Sequence, residues 1–541
     1  MPERYLSTVT YVNSRRGSNS TGKLLLTECI DGEKKLHVDK KPTLSFFVDM
    51  DDIERDRGAT FVPIDEVVPI EKVPYGDVGR TMAELAGLET EWERSIRDRT
   101  SWNMKEYMRK LPFFHGTDIH VEDHYIGRWI DRYQGEINIA PNLHKAHWDI
   151  EVDSWDGNPF DRENAPCPID AISLYSGKLN TLYVFLLRNE DNPLVEEFEK
   201  NLEANADEAI DRFDLDECRI TFFEDERKLI LSFFRTVNEE LRPDFLGAWN
   251  QGYDFCYMEG RIKKLFRCEP SEIMCPKDFP FKKAYYYEDT RNQDWSTKGD
   301  YAVVAGWTNY IDQLITYANL RATLGKKDGY GLDDIAEEEK VGSGKDPMDC
   351  SMREFSRTDY KKYVFYNMND SILLHKIEQK TKDIDLIYQI AMITRTRVHK
   401  AWRKTVSLRN LALKHMFDQG LIMSNNRNVG RKHGGKFRGA WVMSPENNAS
   451  LGVRVMGHLL NSIFENVCDL DLSSLYPSII LSCMIDPSNQ IGRLMFKSDN
   501  DPGDELGYKL TADLLRGDML KLGHRWLGLP AKDELLKILE T

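Results

Sequence analysis

The sequence has no apolar run long enough to cross a bilayer. The longest lies around Ile479 to Met484, against the roughly 20 residues a spanning helix needs. The opening residues, MPERYLSTVT, lack an apolar signal core, so nothing predicts secretion. Cysteine is scarce, with nine in 541 residues, and the nearest pairs (Cys268 with Cys275, Cys256 with Cys268) lack metal-knuckle spacing. That excludes a disulfide scaffold and fits reduced thiols in a cytoplasm. A phosphate-binding loop of the nucleotide-hydrolase type is also missing. Residues 332–345, LDDIAEEEKVGSGK, end in glycines, but the leading Gly is absent and Asp346 follows Lys345. There is no internal repeat and no low-complexity tract. Nor is there an excess of positive charge: 73 Lys and Arg face 89 Asp and Glu, for a net −16. Alone, this argues against a polyanionic partner. In a large enzyme, however, metal-binding acids and an acidic skin coexist with a local basic groove.

What is present suits a multidomain α/β and α+β protein. The length predicts roughly three to four domains, and a 41% hydrophobic share is enough for real cores. Residues 1 to about 110 mix short β-like runs (Lys23 to Leu26, Leu44 to Val48) with polar turns, then a charged helical stretch from Met82 to Lys110. From about 144 to 255, apolar strands such as Thr181 to Leu187 alternate with amphipathic helices such as Glu226 to Leu241. Residues 360 to 420 read as long helices. Two basic stretches stand out, Arg395 to Lys404 and Arg431 to Arg438. Each reads first as a solvated face or loop. The second is Gly-rich with an interleaved Phe437, which suits close approach to phosphates.

Three short patterns carry carboxylates. In His147-Trp148-Asp149-Ile150-Glu151-Val152 the alternation is that of a strand, so Asp149 and Glu151 share one face. Like charges that close repel unless a cation lies between them. In Phe245 to Asp254 a strand runs into a turn, with Asp254 at the start of a helix through Tyr257, Met258 and Ile262. In Tyr366-Asn367-Met368-Asn369-Asp370 the i,i+4 spacing puts the hydroxyl and the carboxylate on one helix face. Each alone is more often a polar strand edge, a helix cap or a surface pair.

Taken in this order, the three patterns resemble the exonuclease motifs of proofreading DNA polymerases, with four acids and a tyrosine. The second departs from the usual spacing: Asn250-Gln251-Gly252-Tyr253-Asp254 is one residue shorter and has Tyr in place of Phe. The chemistry needs such a set. Phosphodiester hydrolysis requires an activated water and a stabilised leaving 3′-oxygen, which two divalent ions about 3.5–4 Å apart supply. Mg²⁺ or Mn²⁺ prefers carboxylate oxygen. The resemblance implies Asp149, Glu151, Asp254 and Asp370 as metal ligands, with Asp149 bridging two ions. It implies Tyr366 as the residue orienting the water and Asn250 as a DNA contact.

Residues 469–480 read Asp-Leu-Asp-Leu-Ser-Ser-Leu-Tyr-Pro-Ser-Ile-Ile. A strand end turns into a helix with Pro477 near its first position, and the turn's amides suit an anion. The run resembles the A motif of family B DNA polymerases, and the T-even-type phage branch in particular. The resemblance implies Asp471 and the Leu472 carbonyl as metal ligands. Ser474 and Leu475 would touch an incoming dNTP, and Tyr476 would exclude a 2′-hydroxyl. Phe437-Arg438-Gly439-Ala440 resembles the family's template-contacting linker, implying DNA contacts at Phe437, Arg438 and Gly439.

The resemblance implies three parts. They are an N-terminal domain over 1–143 (to which 383–425 return), a ribonuclease H-like 3′→5′ exonuclease domain over 144–382, and a partial palm over 426–541. The family's fingers helix and second palm acid do not follow Ile480. Tyr75-Gly76-Asp77 and Asp49-Met50-Asp51-Asp52 precede the exonuclease motifs and are decoys. The expectation is the N-terminal subunit of a split replicative polymerase in a host cytoplasm. Its partners would be primer–template DNA, a single-stranded 3′ end, dNTP, other replisome proteins and a complementary C-terminal chain, with no membrane. The amphipathic patterns from Leu506 to Leu539 would either pack against that chain or form an ordinary palm helix. The competing expectation is a DNA-binding scaffold, or a truncated polymerase with weak nuclease.

Overall fold

The first residues fold into a three-stranded antiparallel meander of β1 (Arg4–Val12), β2 (Lys23–Ile30) and β3 (Glu33–Asp39). The β2–β3 turn is Asp31-Gly32, both at positive φ (51° and 83°), as a tight two-residue hairpin requires. The structure is a computed structural model. It describes residues 3–13, 22–49, 61–155, 157–324, 327, 329–342, 352–423 and 425. It also describes short pieces at 454–455, 458–459, 475–482, 520–522 and 525–527. The chain divides into two units. One comprises Met1–Val48, Pro63–Met108 and His115–Met423; the other comprises Asp49–Val62, Arg109–Phe114 and Ser424–Thr541. In the second, the described pieces include the Leu475–Ser482 helix and the hairpin of Leu520–Leu522 with Arg525–Leu527.

The first unit is organised around six strands. They are β4 (Lys145–Val152), β5 (Ile169–Ser176), β6 (Thr181–Leu187), β7 (Glu217–Phe223), β8 (Phe245–Ala248) and β9 (Asn309–Asp312). Their order is β7-β6-β5-β4-β8-β9. β4, β5 and β6 form an antiparallel meander, β7 adds to β6 in parallel, and β4, β8 and β9 run parallel. Every residue of β5 is buried, as expected for a strand covered on both faces.

Alternation sorts β4 between two cores. Ala146, Trp148 and Ile150 join Leu229, Phe233, Phe255, Met258 and Ile262 on one side. Trp148 is fully buried and stacks on Phe233 at 5.1 Å. The odd-numbered residues face a 22-residue helix, whose Tyr363, Val364, Met368 and Ile372 pack on Ala171, Leu182 and Val184. The Glu226–Leu241 segment, expected as one helix, is α-helical to Arg235 and continues as a π-helix over Thr236–Leu241.

A buried carboxylate fastens the N-terminal meander to the sheet. Asp244, just before β8, accepts hydrogen bonds from Tyr5 Oη (3.0 Å), Ser7 Oγ (3.2 Å) and the His144 N–H (2.8 Å). It also pairs with Lys34 at 2.8 Å. Burial pushes the Lys34 amine down and the Asp244 carboxylate opposes that. The helices after residue 382 return to the same region, where Tyr388 donates to the Leu6 carbonyl at 2.8 Å.

The Arg395–Lys404 stretch is not a solvated face. Arg395 pairs with Asp131, Arg397 with Asp123 and Glu122, and Arg403 with Asp289. Lys400 lies over the Tyr301 ring at 3.6 Å. The Arg431–Arg438 stretch lies outside the described residues. Asp244→Ala is expected to cost about 3–5 kcal/mol, because it strands Lys34 in the interior. Urea denaturation checks this, and a loss under 1 kcal/mol would show that the network contributes little.

Candidate active site

Three elements converge on one end of β4. The first is β4 itself, which presents Lys145, His147, Asp149 and Glu151 from one face. The second is α1 (Gln251–Phe266), which begins directly after β8 and holds Asp254 in its first turn. The third is α2 (Tyr360–Thr381), capped by Asp359 and carrying Tyr366, Asn367 and Asp370. Two hydrogen bonds seat α2 on β5: Tyr363 Oη to Asp170 (2.7 Å) and Ser173 Oγ to the Asn367 carbonyl (2.7 Å).

The result is a cluster of acids. Carboxylate oxygens of Asp149, Glu151 and Asp370 lie within 4.8 Å of one another. Asn367 Nδ2 donates to Asp149 Oδ2 at 2.8 Å. Asp254 is buried (5% exposed), and burial is the main reason its carboxyl is raised well above the usual range. The charges of Asp149, Asp312 and Asp370 raise it further. Burial likewise pushes Asp312 and Asp170 up to about 7. An all-oxygen donor set whose members repel one another fits a hard divalent cation.

Two local contacts mark the second motif. Gly252 stands where a Cβ would come within 3.0 Å of Tyr286 Oη and 3.2 Å of Asn250 Oδ1. Tyr253 uses its hydroxyl, donating to the Pro159 carbonyl at 3.0 Å, and so ties α1 to the loop that leaves β4. Tyr366 packs edge-on against Phe355 at 5.9 Å.

Of the residues named from sequence, Asp149, Glu151 and Asp370 come together, Asp254 faces them, and Tyr366 lies one helical turn from Asp370. Asn250 immediately precedes α1 and its side chain makes no cap. Asp471, Leu472, Ser474, Phe437, Arg438 and Gly439 lie outside the described residues. Leu475 and Tyr476 open the Leu475–Ser482 helix, with side chains that are not described. Sequence reading passed over Asn367 and Asp312. Asn367 lay inside the third motif, and Asp312 has the signature of a strand end that caps a helix.

Residues 118–290 match the family described as DNA polymerase family B, exonuclease domain. Fold, acid cluster and match agree: over residues 118–290 the chain is similar to a family B exonuclease domain. Over 406 residues the chain is 24% identical to the DNA-directed DNA polymerase of Escherichia phage RB69. It is 23% identical over 412 residues to that of Enterobacteria phage T4. Each match covers 74% of this chain but 41% of the relative, so the chain spans about two fifths of the curated relatives it matches. The chain is thus similar, over about two fifths of their length, to T4-like family B DNA polymerases.

Raised carboxyls mean that the folded chain holds more protons than the unfolded chain. Their contribution to stability is complete below the ordinary carboxylate range near pH 4 and is lost as pH rises toward about 7. In chelator, the melting temperature is therefore expected to fall between about pH 5 and about pH 8, by roughly 2–4 °C. Added Mg²⁺ should restore it by replacing the proton at Asp254. Calorimetry with EDTA and with Mg²⁺ checks this; a rise with pH in EDTA would reject it.

Proposed function

We propose that residues 144–382 form a ribonuclease H-like 3′→5′ exonuclease domain, with residues 1–143 and 383–425 forming the N-terminal domain. The chain is then the N-terminal portion of a replicative DNA-directed DNA polymerase, and this domain proofreads. The sheet order, with acids at one end of the central strand, supports the ribonuclease H-like reading. The observation that carries the activity is the convergence of the Asp149, Glu151 and Asp370 oxygens within 4.8 Å, with buried Asp254 against them.

Asp149, Glu151, Asp254 and Asp370 would hold divalent Mg²⁺ or Mn²⁺, which when bound would activate a water and stabilise the leaving 3′-oxygen. Asn367 fixes the Asp149 rotamer through its amide. Tyr366 orients the attacking water, and Asn250 touches the single-stranded 3′ end. The electron pair of the broken P–O bond leaves with the 3′-oxygen of the shortened strand, so no protein nucleophile is needed.

Synthesis belongs to residues 426–541 as a partial palm. Asp471 and the Leu472 carbonyl serve as metal ligands there. Ser474, Leu475 and Tyr476 meet the dNTP, and Phe437, Arg438 and Gly439 meet the template. The two-metal mechanism needs a second palm carboxylate as well. A complementary polymerase portion supplies it, together with fingers and thumb. A scaffold with a weak nuclease is the other reading, and the intact acid cluster favours the enzyme.

Digestion of a 3′-labelled single strand tests the nuclease. The chain is expected to shorten it only with Mg²⁺ or Mn²⁺, and Asp149→Ala should lose on the order of 10²–10³-fold or more in rate. Equal digestion by Asp149→Ala would exclude this site. Substantial primer extension by these 541 residues alone would refute the need for a complementary portion.

A further inference from the structure

Helix α1 carries Asp254, but the residue at its N-cap does not cap it: Asn250 makes no side-chain hydrogen bond to the helix start. The cap comes from elsewhere in the chain. Asp312, the last residue of β9, lies 61 positions on from Gln251 and accepts its N–H on Oδ2 at 3.0 Å. Its other oxygen, Oδ1, accepts the Ile315 N–H at 2.8 Å. That bond caps α3, the following helix (Gln313–Leu320). One buried carboxylate thus satisfies orphan donors at the starts of two helices.

The neighbouring residue completes the arrangement. Gln313 Oε1 lies 2.9 Å from His147 Nδ1 on β4, and Gln313 Nε2 donates to the Leu374 carbonyl of α2 at 3.2 Å. Gly247 leaves room for this, since a Cβ there would come within 2.5 Å of Gln313 Oε1. The β9–α3 junction therefore touches all three elements that bear the clustered acids. It reaches α1 through Asp312, and β4 and α2 through Gln313. Each Asp312 oxygen accepts a backbone N–H.

We propose that Asp312, with Gln313 beside it, is a positioning residue for the exonuclease, setting where Asp254 stands relative to Asp149, Glu151 and Asp370. The inference rests on the nuclease reading above. An ångström of drift in α1 changes the distance from Asp254 to the shared ions. The loss is therefore chiefly in turnover and metal affinity.

The test is steady-state digestion of a 3′-labelled single strand by the full chain, with Mg²⁺ titrated. It uses Asp312→Asn, Asp254→Asn and the double variant. Tyr388→Phe, remote from the site, controls for lost stability. Asp312→Asn is expected to lower kcat about 10–100-fold, leave KM for DNA within about 3-fold, and raise the Mg²⁺ needed for half-maximal rate. The double variant should be no slower than Asp254→Asn alone, because Asp312 acts through Asp254. Tyr388→Phe should keep its turnover. Wild-type kcat in Asp312→Asn, or a double variant slowed by the product of both single effects, would overturn the proposal. If Asp312→Asn does not fold, Gln313→Leu with Asp370→Asn reads the same non-additivity, and additivity there counts equally against it. An Asp254→Asn variant as active as wild type would sink the nuclease assignment itself. An inactive Asp254→Asn beside a fully active Asp312→Asn rejects only the positioning role.

Discussion

The repulsion among four carboxylates governs the organisation of this fold. Two unit charges about 5 Å apart cost roughly 3 kcal/mol at an effective dielectric of about 20, and here several such pairs share one end of β4. Asp254 shows the strain, with its carboxyl driven toward the neutral form by burial and by its neighbours. Such a group of acids persists only if rigid elements hold its members, and only if a cation or a proton lies between them. The six-stranded sheet, the capped start of α1 and the long helix α2 provide that rigidity. The chemistry inferred for the site uses the same repulsion, because it is what draws divalent ions in.

Charge elsewhere in the first unit is arranged to be self-consistent rather than available. The −16 net charge does not preclude a DNA-processing site, but neither does the Arg395–Lys404 run provide an open basic groove. Its arginines are spent on Asp131, Asp123, Glu122 and Asp289. They lock the returning helices against the N-terminal part of the unit, much as Asp244 locks the N-terminal meander to the sheet through Tyr5, Ser7 and Lys34. These contacts link segments hundreds of positions apart, so the acid-bearing sheet is braced from outside as well as from within.

Long-range hydrogen bonding recurs around the site at shorter reach. Tyr253, in the position where the family motif has Phe, uses its extra hydroxyl on the Pro159 carbonyl. Tyr363 reaches Asp170, and Asn367 reaches Asp149. Buried polar groups of this kind favour one arrangement of strand and helices over near alternatives, because any slip leaves them unpaired in a low-dielectric interior.

Much of this was legible in the chain itself. Period-two alternation through residues 145–152 placed Asp149 and Glu151 on one face, i,i+4 spacing aligned Tyr366 with Asp370, and the turn before Asp254 marked a helix start. Those are local patterns, set by backbone geometry within a few residues, so a linear reading recovers them. The sequence could not say that Asn250 would leave its helix uncapped, that Asp312 would cap it from 61 positions away, or that Arg395, Arg397 and Arg403 would be consumed in ion pairs. Partners distant along the chain are chosen by strand order and helix packing, and only the tertiary structure decides those. The sequence alone thus singled out the acids that cluster at the candidate site. The fold decided which other residues hold them in place.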